Sequence, residues 1–275
     1  MTTSLKVTQK KNTEMRLIMG KTKKFIYGLI IPVILITAWY LYTTYSNVPG
    51  SLLPKIQNVF MAFKEMVIQG QLQNDLAVSF IRVMKGFFVS GTIGIVLGAV
   101  MGMSKKASAL LLPTITAIRQ IPVIAWIPLI ILWAGIGEAS KVVIIVIAAS
   151  FPVLVNTLSG FNNTPAGYIE VAKLYNLNRW QTFLKVYLPH ALPQILTGLK
   201  LGLSVSWMAL VASELIAASS GIGYRMNDAR SLMRSDKVIV CMVVIGLAGI
   251  LMDKIISIIF EMVTPWERVA KSESK

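Results

Sequence analysis

The sequence predicts an all-α membrane protein, a polytopic helix bundle with about six transmembrane helices. Three observations carry this. Hydrophobic residues make up 55% of the 275 positions and charged residues only 14%, and the mean hydropathy is +0.68. Several apolar runs reach the ~20 residues that a helix needs to cross a bilayer. Short polar stretches rich in Pro, Gly and Lys separate them. A spanning helix satisfies its own backbone hydrogen bonds, so a helical bundle follows.

The first 24 positions carry Lys6, Lys10, Lys11, Arg16, Lys21, Lys23 and Lys24. An apolar run over 25–45 follows, closing on Trp39, Tyr40, Tyr42 and Tyr45. This reads as an uncleaved first span with a cytoplasmic N-terminus and an interfacial aromatic belt, because no small-residue cleavage site follows. Positions 46–78 form an outer connection. Within it Ile56, Val59, Phe60, Phe63, Met66 and Val67 recur at helical spacing and predict an amphipathic surface helix.

A membrane-spanning core is expected over 79–265. Its first span runs from about Phe80 to Met103. Gly94, Gly98 and Gly102 share one face of it and permit close helix contact. Ser104-Lys105-Lys106 reads as a basic loop. Pro113, Pro122 and Pro128 then predict a kinked span that re-enters near the outer face. Glu138 to Lys141 reads as an outer turn, and the next span covers Val142 to Leu158, interrupted at Phe151-Pro152. Later spans run from about Ile195 to Ala218 and Val238 to Val263, before a cytoplasmic tail over 266–275. Lys and Arg lean moderately toward the side holding both termini, which sets the orientation.

The net charge of +15 does not imply nucleic acid, since no stacking aromatics interleave with the basic residues. Cations flanking spans attract anionic lipid instead. One cysteine, Cys241, and one histidine, His190, exclude a disulfide framework and argue against a Cys/His metal site.

The polar stretch 164–193 stands out between apolar runs. Thr164-Pro165 predicts a helix start, with Thr as cap and Pro at the first turn. Asn176 is placed for a left-handed turn. Asn178 followed by Gln181 predicts a capping box, and Pro189 and Pro193 are expected to limit the second helix. The segment Glu170-x-Ala172, the break at Asn176, Arg179-Trp180, Phe183 and Leu188-Pro189 resembles the EAA loop of binding-protein-dependent ABC importer permeases, with Asn176 where that family usually has glycine. Two further stretches resemble the nitrate, taurine and alkanesulfonate subgroup: Arg119-Gln120-Ile121-Pro122 to Trp126-Ile127-Pro128 and on through Leu132-Trp133-Ala134-Gly135-Ile136-Gly137-Glu138-Ala139-Ser140-Lys141, and Ala212-Ser213-Glu214-Leu215-Ile216 leading into Ser220-Gly221-Ile222-Gly223-Tyr224. The similarity covers about Ser79 to Arg268.

The resemblance implies a type I ABC importer permease fold. It also implies a homodimer, two ABC ATP-binding subunits inside and an extracytoplasmic substrate-binding protein outside. ATP would be bound by the partner subunits; no cofactor is expected on this chain, and it is not expected to be an enzyme. By the same resemblance Glu170, Ala172, Asn176, Arg179, Trp180, Phe183, Leu188 and Pro189 form the ATPase-docking surface, with Ala172 permitting close approach. The expected solute is a small sulfonate, nitrate or similar anion, with a vitamin precursor or heteroaromatic solute as the alternative.

Ionisable groups at membrane depth mark functional sites. Arg119 is the leading candidate for the translocation path, its competing role being packing, paired with Glu214 or with a backbone carbonyl. Gln120, Asn156, Ser206, Trp207 and Glu214 are further candidates. Asp253 and Lys254 are expected to pair near an interface. The abundant methionines follow no cage pattern and read as core fillers. Two other classes fit the residues less well. A membrane-embedded enzyme needs clustered acids, histidines or a nucleophile–base pair, which this inventory lacks. An ion-driven secondary transporter needs paired broken helices in related halves, and the break near Pro122 has no counterpart.

Overall fold

The computed structural model describes residues 27–46 and 48–264, which form helices and connecting turns with no strand among them. Five helices are long and apolar enough to cross a membrane, or six when one bent pair is taken as a single span. The predicted segments 1–24 and 266–275 lie outside the described residues.

Helix α1 (Tyr27–Tyr45) is apolar and almost wholly exposed. Trp39 Nε1 donates to Pro54 O at 3.1 Å and ties its end to the following connection. Helix α2 (Ile56–Ile68) is the expected amphipathic surface helix, burying Ala62 and Met66. It is clamped to the start of the last helix by Lys237 Nζ on Glu65 at 2.9 Å and by Arg234 at 3.5 Å.

Helix α3 (Gln71–Met103) begins well before the predicted Phe80. Lys105 and Lys106 are not in a loop. Ser104 caps helix α4 (Lys105–Arg119) by accepting from the Ala107 N–H, and the two lysines form its first turn. After a break at Gln120-Ile121-Pro122 comes α5 (Val123–Ala134), turned 96° from α4. This is the kink predicted from the prolines: Pro122 cannot continue a helix and biases Ile121 toward extended backbone.

Helix α6 (Glu138–Asn162) is the centre of the bundle. Glu138 to Lys141 are its first turn, where an outer turn was expected, because the Gly135–Gly137 linker already makes the reversal. Nor does Phe151-Pro152 interrupt it. Its ends reach about 37 Å apart at 1.5 Å per residue, enough to span. Glycine faces on both neighbours let it be packed from two sides. A Cβ on Gly94 of α3 would lie 2.7 Å from Val153 Cβ, and one on Gly98 would lie 2.7 Å from Thr157 Cβ and 2.8 Å from Leu154 O. On the other flank, a Cβ on Gly198 would lie 2.8 Å from Asn156 Cβ and 3.2 Å from Pro152 O. Between membrane helices, where lipid tails compete equally for apolar surface, such close backbone contact is a main source of adhesion.

Helix α7 (Ala166–Leu174) and helix α8 (Arg179–Thr182) form the 164–193 loop, and a π-helical turn (Phe183–Tyr187) joins α8 to α9 (Leu188–Ala217). Pro189 and Pro193 therefore do not stop the second helix. Pro189 sits in the first turn of α9, and the widened π turn ahead of it accommodates the missing amide. Helix α10 (Ile222–Ser231) lies at the opposite end, followed by α11 (Ser235–Val263). Asp253 of α11 pairs with Lys200 of α9 at 3.4 Å, the partner that replaces the expected Lys254. Cys241 is buried, and Trp207, Val83 and Ile222 belong with it to the largest apolar core.

Candidate functional site

The loop at one end of the bundle is built by local chemistry. The α7 C-terminus closes with Leu177 N–H on Ala172 O at 3.0 Å and Asn176 N–H on Lys173 O at 2.9 Å. Asn176 has φ +50. This is the paired-bond stop that needs a left-handed residue, and Asn supplies it where Gly is commonest. Asn178 then starts α8 with both bonds of a capping box: Gln181 N–H to Asn178 Oδ1 at 2.8 Å, and Asn178 N–H to Gln181 Oε1 at 3.0 Å. Thr164 does not cap α7. The helix begins at Ala166 after Pro165, and the Thr164 hydroxyl is buried without a hydrogen-bond partner among the described residues.

Glu170, Asn176, Arg179, Trp180 and Pro189 are exposed, while Phe183 and Leu188 are half-buried. Ala172 is only 3% exposed. Its expected part in letting a partner approach is therefore corrected: it lies against the turn and accepts from Leu177, so it positions the loop from within. The same knob exposes Tyr168, Val171, Leu174, Tyr175 and Trp180. An apolar set of that size on a polar loop marks a contact surface.

Aromatic rings connect this knob to the bundle. Trp180 stacks on Phe183 at 5.4 Å, Phe183 on Phe161 at 5.8 Å, and Phe161 on Tyr187 at 6.0 Å. Phe161 is buried at the end of α6, and a Cβ on Gly102 of α3 would collide with it.

The path candidates separate into two groups. Arg119 and Asn156 face one cleft of ≈ 430 Å³ at the α4–α5 break, which Pro122, Phe151 and Val205 also line. Asn156 Nδ2 donates to Pro152 O at 2.8 Å. Gln120 sits in the break and is exposed, outside that lining. Ser206 is buried and donates to Gly202 O, and Trp207 Nε1 donates to Ile245 O at 3.1 Å, so both side chains make contacts inside the bundle. Along the opposite, exposed face of α9 run Gln194, Thr197, Ser204 and Met208.

Glu214 is buried and does not meet Arg119. Its partner is Arg82 of α3, with Nη1 2.7 Å from Oε1. Ser79 Oγ also donates to it at 2.9 Å, and the Gly223 N–H at 3.0 Å. A Cβ on Gly221, whose φ is +106, would fall on the Glu214 carboxylate. This explains the glycines of Ser220-Gly221-Ile222-Gly223: the start of α10 lies directly on Glu214. Asp75 accepts from Gly221 N–H at 3.1 Å and from Arg225 Nε at 2.7 Å. The carboxylate bond, working against burial, holds the Arg225 guanidinium above its ordinary pKa. Arg82 also forks its Nε and Nη2 onto Glu138, and gives its remaining protons to the carbonyl and hydroxyl of Ser220.

Asp75, Ser79, Arg82, Glu138 and Lys141 come together as a unit only in the folded chain. One local signal was present: Asp75, Ser79 and Arg82 lie at i, i+4 and i+7, one face of a helix otherwise apolar on that side. Their partners lie 56 to 150 positions away.

The family model for "Binding-protein-dependent transport system inner membrane component" matches residues 90–269. The chain belongs to this family. Among its curated relatives, the putative aliphatic sulfonates transport permease protein SsuC of Bacillus subtilis strain 168 is 34% identical over 239 residues, 87% of each chain. The taurine transport system permease protein TauC of Escherichia coli K12 is 34% identical over 238 residues, 85% of this chain and 86% of the relative. The nitrate import permease protein NrtB of Synechocystis is 33% identical over 190 residues, 69% of each. The fold of this permease-family chain is also that of a solved amino acid ABC transporter chain. That match has a TM-score of 0.56 at 20% identity and covers 73% of this chain and 96% of that one.

Proposed function

We propose that this chain is the permease subunit of an ATP-driven importer of a small anion of the sulfonate, taurine or nitrate kind. Two copies form the translocation path. Two ATP-binding subunits dock on the 164–193 loops in the cytoplasm and bind the ATP, and a substrate-binding protein delivers solute on the other side. Both termini then lie in the cytoplasm.

The observation that carries this reading is the ring stack Trp180–Phe183–Phe161. It runs from an exposed apolar knob to the buried end of the central helix α6. Close-packed rings cannot be compressed, so displacement of the knob displaces α6 and the α3 glycine face behind it. The polar stripe of Gln194, Thr197 and Ser204 on α9 supports the path. Arg119 and Asn156 line the cleft at the α4–α5 break together with Val205 of α9, and the half-exposed Lys200–Asp253 pair joins α9 to α11. Such groups face water or protein in preference to lipid. Arg119 beside the cleft would lower the barrier for an anion.

The test is uptake in proteoliposomes holding the whole importer. Glu170→Lys and Trp180→Ala should each cut ATP-coupled uptake more than about tenfold, as loss of an interface anchor does, while the permease remains inserted. Normal uptake in both variants contradicts the docking role.

A further inference from the structure

At the end of the bundle away from the 164–193 loop, two buried cations share one exposed anion. The Arg82 and Lys141 side chains are 3% and 4% exposed, whereas Glu138 is 62% exposed. Glu138 takes the outward fork of Arg82, with Nε donating at 2.8 Å and Nη2 completing the pair, and Lys141 Nζ lies 3.6 Å from the same carboxylate. Glu214 neutralises one positive charge from within, and Arg225 is taken by Asp75. With Glu138 withdrawn, Arg82, Lys141 and Glu214 leave a net charge of one positive.

We propose that Arg82 and Lys141 form a binding site for a small monovalent oxyanion, which the Glu138 carboxylate occupies at rest. The fork of Nε and Nη2 fits two oxygens of a carboxylate, nitrate or sulfonate equally well. Glu138 is free to leave. Its side chain stands mostly in water, and it follows the Gly135–Gly137 linker, where Gly135 has φ +74. An arriving anion exchanges with Glu138 without leaving either buried cation unpaired. The inference rests on the proposed import of an anion only in naming the transported solute as the ligand.

The experiment uses the full chain in lipid nanodiscs, with sodium methanesulfonate or nitrate replacing chloride at constant ionic strength. Anion binding is read from the shift in the thermal unfolding midpoint, followed by tryptophan fluorescence. Removing the internal competitor in Glu138→Gln should tighten methanesulfonate binding about tenfold or more over the parent chain, the scale of one charge-assisted pair. Adding Lys141→Met to that variant should lose about tenfold again. Equal affinity in the parent and Glu138→Gln, or no effect of Lys141→Met, overturns the site. If Glu138→Gln does not insert, Glu138→Asp replaces it, drawing the carboxylate one methylene back from Arg82. A gain of about threefold is then expected, and no gain overturns the site equally. No ATP-binding subunit or delivery protein is present, so a failure here leaves the uptake test of loop docking untouched, and the converse holds.

Discussion

Arg82→Met should be among the most damaging single substitutions in this chain, and the geometry says why. Arg82 and Glu214 side chains are 3% and 0% exposed and 2.7 Å apart. Removing the guanidinium leaves Glu214 with the Ser79 hydroxyl and the Gly223 amide as donors but with no opposite charge. Glu138, mostly exposed, keeps Lys141 and water as partners, so the loss falls on Glu214. Stranding one buried charge costs about 3–5 kcal/mol, roughly two to four orders of magnitude in the folding equilibrium. Glu214→Gln keeps the shape and most acceptors, and should cost about 1–3 kcal/mol. In Arg82→Met/Glu214→Gln no charge is stranded, so the double variant should be more stable than Arg82→Met alone. The coupling should be about 2–3 kcal/mol, well above the ~0.5 kcal/mol scatter of independent sites. Unfolding in mixed detergent–SDS micelles, followed by the fluorescence of the six tryptophans, measures all three variants. Arg119→Ala serves as the control and should leave the midpoint unchanged, since Glu214 does not touch it. An Arg82→Met loss under about 1 kcal/mol, or additive single losses, would refute the argument that Arg82 neutralises Glu214.

Two further outcomes follow from packing and titration. Gly98→Ala should cost about 1–3 kcal/mol in the same assay, because its Cβ would sit 2.8 Å from the Leu154 carbonyl, which cannot rotate away. Gly28→Ala, with nothing within 4 Å, should be neutral; equal effects at the two sites would disprove close α3–α6 contact. The hydrogen bond from Lys237, opposed by burial and aided by the charges of Lys237 and Arg234, holds the Glu65 carboxyl below its ordinary pKa. Its stabilisation is therefore complete above the ordinary glutamate range, about 4.3, and is lost as pH falls through the lowered folded value. Water screening keeps the effect below about 1 kcal/mol. Glu65→Gln should remove that part of the acid sensitivity; an unaltered pH profile between 7 and 3 would show that the α2–α11 clamp contributes nothing.

What was legible in the sequence was whatever a single helix or turn decides for itself. Apolar length gave the spans, the spacing of Val59, Phe63 and Met66 gave α2, and the Asn178–Gln181 box and the left-handed Asn176 fixed the loop. Each depends on neighbours within a few positions. The reading failed where a distant partner changed the local balance. Pro152 looked like an interruption, but α6 is gripped from both sides by glycine faces, and that packing holds the helix through the missing amide. Glu138 looks like part of a turn, and its partner Arg82 lies 56 positions earlier. Prolines advertise Arg119 locally as a partner for Glu214, whereas Arg82, in an unbroken apolar helix, is marked only by the face it shares with Asp75 and Ser79. Yet that setting is itself the stronger signal. A cation inside an uninterrupted span has no freed backbone carbonyl to satisfy it, so it must find a carboxylate on another helix. Among the described spans Glu214 of α9 and Glu138 of α6 are the acids that meet it, and the glycines of Ser220-Gly221-Ile222-Gly223 are what allow the next helix to close over the Arg82–Glu214 pair.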